Sequence, residues 1–340
     1  MQPNSVNVAL IGCGYWGPNL IRNFVSQPQS NLIAICDQDA GRLASLKSQY
    51  PHLETTLDSK ELMTRDDIDA IVIATPVSSH YPLALDALQA GKHVLVEKPI
   101  ASSSAQAQEL INVASEKELI LMVDHTFAYT PAVRRIRKLV QEGDLGKPLY
   151  YDSVRINLGR FQHDTNVLWD LAVHDLAIMD YALGKHPTSV SATGLAHFAG
   201  QHEDVAYLTC FFEDDFVAHF HLNWLSPVKI RRTILGGDKK MIVYDDLEPS
   251  EKIKIYDSGA DLQKEPSNEP QKARIDYRIG DMAAPHISPE EALKLETSHF
   301  ISCILNKEVP ETDGHAGLRV LQILEAANKS LKNNGSPEAV

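Results

Sequence analysis

Three side chains in this sequence have the types and spacing to move a proton at an alcohol: Lys98, Asp170 and His174. Lys98 stands in Glu97-Lys98-Pro99, directly after the apolar run His93-Val-Leu-Val96. A lysine at a strand end can hydrogen-bond a substrate oxygen and exchange a proton with it. Asp170 and His174 are spaced i, i+4 in a helical pattern, so they share a face. Histidine has the ordinary pKa best suited to proton exchange near pH 7, and an aspartate one turn earlier can orient it or the substrate. Taken singly, each has an ordinary alternative: a solvated lysine, or a polar pair on a helix surface.

What gives them meaning is a place for a cofactor. Gly12, Gly14 and Gly17 fall as G-x-G-x-x-G between the apolar run Val8-Ala-Leu-Ile11 and a helical stretch, Pro18 to Ser26. The spacing predicts a strand, a glycine turn and a helix. The glycines would serve a tight turn, close approach to a pyrophosphate and close helix–sheet packing. Phosphates would rest on the unpaired N–H groups of the helix start, where Pro18 costs nothing. A second apolar run, Asn31 to Cys36, ends in Asp37, about twenty residues past the last glycine. Its carboxylate is placed for the two hydroxyls of an adenosine ribose and would repel a 2′-phosphate; Gln38 follows, not an arginine. NAD is therefore expected over NADP. Tyr15 and Trp16 in the loop, and Thr75, Pro76, His80, Glu97 and Lys98 at or beside strand ends, complete the expected cofactor contacts.

These residues need a particular scaffold. After Asp37 the pattern alternates helix and strand: helices over 40–50, 79–90 and 103–118, strands near 52–56, 70–74, 93–97 and 120–123. Continuous β-branched runs suit parallel strands buried on both faces, and repeated βα units predict a doubly wound parallel sheet. Ligands bind such sheets beyond the carboxyl ends of the strands, where Thr75-Pro76, Glu97-Lys98-Pro99 and Asp124-His125 all fall. The rhythm changes near Pro131. A helix, a strand over 149–158 and a helix over 168–183 precede short strands at 188–197, 204–212, 216–224, 229–236 and 241–244. Tight turns between them predict an antiparallel sheet. Residues 258–286 are polar and poorly patterned, a long loop or an interface arm, and helices over 288–305 and 314–331 follow. The fold class is α/β: an N-terminal Rossmann domain over 1–125 and, over 126–335, an α+β domain with a large open, mainly antiparallel sheet.

Composition narrows the functions. A length of 340 residues with 44% apolar content suits two domains with sizeable cores. The formal net charge of −13 argues against nucleic acid as partner. Four scattered cysteines, Cys13, Cys36, Cys210 and Cys303, are poor for zinc or a disulfide framework. No charged, apolar leader and no run of membrane-spanning length is evident, so no membrane partner is expected and the cytoplasm is the expected compartment. His219 and His221 share a strand face, yet without neighbouring carboxylate or cysteine spacing they read as packing, and no metal is expected. Arg155, Arg160, Lys229, Arg231 and Arg232, with the polar Asn157 among them, make the second domain locally cationic. Arginine forks there suit phosphate or carboxylate; Asp175 is either a substrate contact or a surface charge.

With the glycine loop, Asp37, Glu97-Lys98-Pro99 and Asp170/His174 together, the chain resembles the Gfo/Idh/MocA oxidoreductases. The resemblance spans nearly everything except 258–286. It implies a nicotinamide cofactor, a C-terminal sheet used in homodimer or homotetramer contacts, and substrates that are sugars, inositols or their nucleotide-linked forms. It matches Lys98 to the family's catalytic lysine, with a cis Lys98–Pro99 bond, and Asp170 and His174 to the catalytic pair of inositol-dehydrogenase-like members. Ala177 stands where those members often carry an acidic residue. The segments Asp124-His-Thr-Phe-Ala-Tyr129, Arg155-Ile-Asn-Leu-Gly159 and Val167-Leu-Trp-Asp-Leu171 look like a branch tied to surface-polysaccharide and sugar-nucleotide pathways. The leading expectation is NAD-dependent oxidation of a pyranose secondary alcohol at carbon 3 of a nucleotide-linked sugar, with Arg155, Asn157, Arg160 and Arg231 joining Lys98, Asp170 and His174 as substrate contacts. A free-sugar or inositol dehydrogenase and an NAD-retaining glycoside hydrolase are the alternatives.

Overall fold

A computed structural model describes residues 5–159, 165–198, 202–263 and 274–340. The chain divides into two units, Met1–Thr130 with Glu290–Gln322, and Pro131–Pro289 with Ile323–Val340. The sequence reading ends its first domain at residue 125 and assigns 126–335 to the second. Glu290–Gln322, far along the chain, instead counts with the first unit.

The first unit is a six-stranded parallel sheet. Its strands are β1 (Val6–Ile11), β2 (Ser30–Cys36), β3 (Glu54–Thr56), β4 (Ala70–Ile73), β5 (His93–Glu97) and β6 (Leu121–Asp124), in the spatial order β3-β2-β1-β4-β5-β6. Every residue of β4 and β6 is buried, as expected for strands covered on both faces. The order reverses direction between β1 and β4, and a doubly wound sheet binds its ligand beyond the strand ends at that switch. Asp39, Asp58 and Ser103 cap the helices that follow them by accepting backbone N–H groups, which fixes where each crossover begins. Helix Ala292–Asn306 closes one side. Phe300 packs edge-on against Phe24 at 6.4 Å between ring centres; the Val123 N–H of β6 donates to the Thr312 carbonyl oxygen, and the Thr312 hydroxyl donates back to the Val123 carbonyl, each at 2.8 Å.

The second unit is built on a nine-stranded sheet. Its strands are β7 (Pro148–Leu158), β8 (Ser189–Leu195), β9 (Val205–Phe211), β10 (Val217–Asn223), β11 (Leu225–Gly237), β12 (Met241–Asp245) and β13 (Ile253–Tyr256). A separate two-stranded ribbon, β14 (Gly259–Gln263) and β15 (Arg274–Arg278), precedes the short β16 (Met282–Ala283) and, at the end of the chain, β17 (Glu338–Ala339). The order is β16-β13-β12-β11-β7-β10-β9-β8-β17. All pairings are antiparallel except β7 with β10. The sequence reading does not include β13, whose four residues are too few to show a period, or the ribbon, whose strands are short and largely polar. It also started β11 late: the register shifts between Leu225 and Ile230, and an irregularity of that kind breaks the alternation by which a strand is recognised.

One face of this sheet is covered. Tyr151, Ser153 and Arg155 of β7 are buried, and Arg155 pairs with Asp175 of helix Val173–Leu183. The other face carries Tyr207, stacked on His221 at 4.7 Å and on His219 at 6.2 Å.

Candidate active site

The three glycines of the first loop have three different surroundings. Gly12 has φ +100°, and a Cβ there would lie 2.4 Å from the Ala74 carbonyl oxygen. A Cβ on Gly17 would lie 2.3 Å from the Gly12 carbonyl oxygen. Those two serve the turn and the packing. At Gly14 the nearest atom is Arg42 Nη1 at 3.9 Å, so bareness there leaves room rather than relieving a clash. This is the cradle that a pyrophosphate needs. Helix Gly17–Ser26 has no side-chain cap at its start, which leaves its first N–H groups to an anion.

Asp37, at the end of β2, is nearly buried and accepts backbone N–H groups from Cys13 (2.7 Å) and Asp39 (2.8 Å). A carboxylate has about four acceptor positions, so capacity remains for ribose hydroxyls. Arg42 Nη1 lies 3.6 Å from Asp37 Oδ1; the sequence reading gave Arg42 no role. These residues fit NAD. Burial beside Asp37 pushes the Cys13 thiol up to about 12 and the Cys36 thiol up to about 11, so neither is a nucleophile.

The other expected contacts divide into faces and supports. Tyr15 is exposed. Trp16 sends its indole N–H to Asp124 Oδ2 at 3.0 Å. The Thr75 hydroxyl accepts from Ser79 at 2.8 Å, and Pro76 leads into the turn Val77–Ser79. His80 is fully buried: Nδ1 lies 2.8 Å from the Pro99 carbonyl oxygen and Nε2 2.8 Å from that of Thr75. Burial holds this imidazole below its ordinary pKa despite the two carbonyls. His80 therefore ties the loop after β4 to the loop after β5, as a support beneath the site. Lys98 stands on that second loop, half-buried, immediately before a cis Lys98–Pro99 bond. The Glu97 carboxyl turns to Asp124, its neighbour in register.

In the second unit, Asp170 and His174 stand at the head of one helix, where a π-turn, Leu168–Ala172, runs into Val173–Leu183. The sequence reading places a plain α-helix there. Wider turns of this kind recur at functional sites. Asp170 Oδ2 accepts the indole N–H of Trp224 at 2.9 Å, a partner with no sequence signal, since 54 residues separate them. Asp175 is a buried structural partner: its two oxygens accept Arg155 Nε and Nη2, each at 2.8 Å. Arg155 itself is 3% exposed. Arg231, opposite Arg155 in register, gives Nη1 to Asp246 at 3.2 Å. Asn157 is half-buried near the end of β7. Arg160 lies outside the described residues.

Among the described residues no group of three or more histidine, cysteine, aspartate and glutamate side chains is arranged to hold a metal ion. No described helix is long and apolar enough to cross a membrane.

Comparison with known proteins accounts for both units. The model of an oxidoreductase family with an NAD-binding Rossmann fold matches residues 6–125. Its companion, a C-terminal alpha/beta domain of the same family, matches residues 137–338. The chain is 28% identical over 227 residues to 2,7-anhydro-N-acetylneuraminate hydratase of Mediterraneibacter gnavus, a match covering 62% of this chain and 59% of that relative's length. It is 26% identical to scyllo-inositol 2-dehydrogenase (NAD(+)) of Bacillus subtilis, covering 97% and 95% of the two chains. UDP-N-acetylglucosamine 3-dehydrogenase of Acidithiobacillus ferrooxidans is also 26% identical, over 93% of this chain and 94% of that one. A solved structure of that enzyme shares the fold, with a TM-score of 0.82 and 23% identity over 98% of this chain and 99% of the other. With the glycine cradle, Asp37 and both domain models in agreement, the chain belongs to the Gfo/Idh/MocA family of oxidoreductases and is an NAD-binding dehydrogenase.

Proposed function

We propose that this dehydrogenase oxidises a secondary alcohol of a pyranose, at carbon 3 of a nucleotide-linked sugar. The observation that carries the reading is the head of helix Val173–Leu183, where His174 follows an aspartate aimed by a buried indole. An acid–base group with a fixed orienting partner is what removal of a hydroxyl proton requires. NAD supplies the hydride acceptor, the nicotinamide C4. His174 takes the hydroxyl proton, and Lys98 donates a hydrogen bond to the same oxygen as charge develops on it. Asp170 orients His174 or a neighbouring sugar hydroxyl. Asn157, Arg160 and Arg231 are the further substrate contacts we assign. Arg155, committed to Asp175, acts through the helix that it holds.

The nucleotide-linked sugar is supported by likeness to UDP-N-acetylglucosamine 3-dehydrogenase along most of the chain. Ala177 speaks against free inositol. The sheet face bearing Tyr207, Phe211 and Val217, each more than a third exposed, supports a homodimer or homotetramer, which light scattering would read directly. A cytoplasmic enzyme is the matching location. The test of substrate is a panel of UDP-, GDP- and dTDP-sugars and inositols with NAD, followed by NADH absorbance. Reduction with a nucleotide sugar supports the proposal, and reduction with inositols alone overturns it. The likeness to a hydratase favours one second reading, transient oxidation followed by elimination. That reaction consumes substrate with no net NADH.

A further inference from the structure

Three carboxyl groups meet inside the first unit, and the oxidation chemistry uses none of them. Glu97 ends β5, Asp124 ends β6 beside it in register, and Glu296 comes from helix Ala292–Asn306. Asp124 is 2% exposed and Glu296 fully buried. Glu97 and Glu296 both lie against the Asp124 carboxyl, close enough to share a proton with it. Asp124 accepts from two donors, the Trp16 indole N–H at 3.0 Å and the Thr126 hydroxyl. By contrast, Glu97 Oε1 and both Glu296 oxygens are buried with no hydrogen-bond donor among the described residues. Among the described residues, Lys98, after β5, acts on Glu97, and Tyr129, in the turn after β6, faces Glu296.

Carboxylates in contact cannot all ionise without water, and each contact requires a shared proton. Asp124, with two donors of its own, is the site that keeps the charge. Glu97 and Glu296 then hold the protons and give their hydrogen bonds to it. The burial and mutual repulsion that raise the two glutamates, and the donors that lower Asp124, run in the same sense. Asp124 so accepts from four segments at once: the glycine loop, the end of β5, the turn after β6 and helix Ala292–Asn306. Four donors fill the acceptor capacity of one carboxylate.

We propose that Glu97, Asp124 and Glu296 work as one set of positioning residues, two protonated acids around one carboxylate, which locks Trp16 and with it the NAD-binding loop. The cluster is a support, with no ligand of its own. It rests on the NAD-binding role of this domain and is independent of which alcohol is oxidised.

The test uses the full-length chain without substrate. At about pH 6, where ordinary carboxyls are ionised, infrared difference spectra between H2O and D2O should show the carbonyl stretch of protonated carboxyls. Glu97→Gln and Glu296→Gln should each remove part of it. NAD affinity, by calorimetry, should fall about tenfold in Glu296→Leu, which leaves Asp124 short of a donor, and stay within about twofold in Glu296→Gln, which keeps one. Trp16→Phe should weaken NAD similarly, and the Trp16→Phe/Glu296→Leu double variant should be no weaker than the single ones, since both act through one link. Absence of the protonated-carboxyl signal overturns the proposal, as does additive loss in the double variant. If Glu296→Leu does not fold, equal loss of NAD affinity in Glu296→Gln and Trp16→Phe overturns it.

Discussion

Trp224 donates its indole N–H to Asp170 at 2.9 Å, and Trp224 is itself locked. It is 1% exposed, and its backbone bonds to Asp204 and Gly159, each at 2.9 Å. A Cβ on Gly159 would lie 2.5 Å from the indole ring, so that glycine is what lets the ring sit there. Asp170 is thereby aimed by a side chain with no freedom of its own. Trp224→Phe keeps an aromatic ring at the site and loses the donor. Turnover should fall about tenfold, the worth of one hydrogen bond to a charged group, while NAD affinity by calorimetry stays unchanged. A variant with wild-type turnover would show that Asp170 needs no orienting.

The Arg155–Asp175 pair makes a stability claim. Both side chains are buried, and removing one leaves the other charge without its partner. Arg155→Met should cost about 3–5 kcal/mol of unfolding free energy, as seen when buried pairs are broken. Urea titration would measure this. A loss under about 1 kcal/mol would place the pair with ordinary surface bridges.

Cofactor choice should turn on Asp37. Arg42 Nη1 lies 3.6 Å from its Oδ1, so the carboxylate both repels a 2′-phosphate and engages the Arg42 guanidinium. In Asp37→Ser, Arg42 becomes available to that phosphate. The ratio of kcat/KM for NADP to that for NAD should rise about 10- to 100-fold, the range for new charge-assisted hydrogen bonds. An unchanged ratio in steady-state kinetics would remove Asp37 from the selection.

The carboxyl cluster should make stability fall with rising pH. Glu97 and Glu296 hold their protons well above the usual carboxylate range, so the native state binds protons that the unfolded chain releases. Their contribution is full below the unfolded value, about 4.3, and declines as pH rises toward the raised native values. The slope reaches up to about 1.4 kcal/mol per pH unit for each proton. Asp124, lowered, acts in the opposite sense and only in acid, where its stabilisation is lost. Melting temperature measured from about pH 5 upward should therefore decline, and more shallowly in Glu296→Gln. Equal slopes in the two proteins would contradict this assignment.

The first sheet was legible because its signals are local. Glycine spacing, Asp37 and the buried runs ending at Thr75, Glu97 and Asp124 each lie within a few residues of what they specify. The cis Lys98–Pro99 bond came from family resemblance and is present. Partners distant in sequence were hidden. Nothing near Glu296 announces a contact with Asp124, and nothing near Trp224 points to Asp170. The sequence offers Asp175 and Arg155 each as a substrate contact, but period-2 alternation says only that Arg155 shares a face with Ser153. It does not say which face is covered. The short strands β13 to β17 escaped for a related reason, since segments of two to five residues carry too little periodicity to read.

The most direct test of the account is hydride transfer in a single turnover, with NAD and the nucleotide sugar selected by the panel, in wild type, Lys98→Ala and His174→Ala. Loss of a positioned acid–base group should slow NADH formation about a hundredfold or more in each variant, with NAD affinity retained. Wild-type rates in both variants would contradict the assignment of Lys98 and His174 to the reacting alcohol.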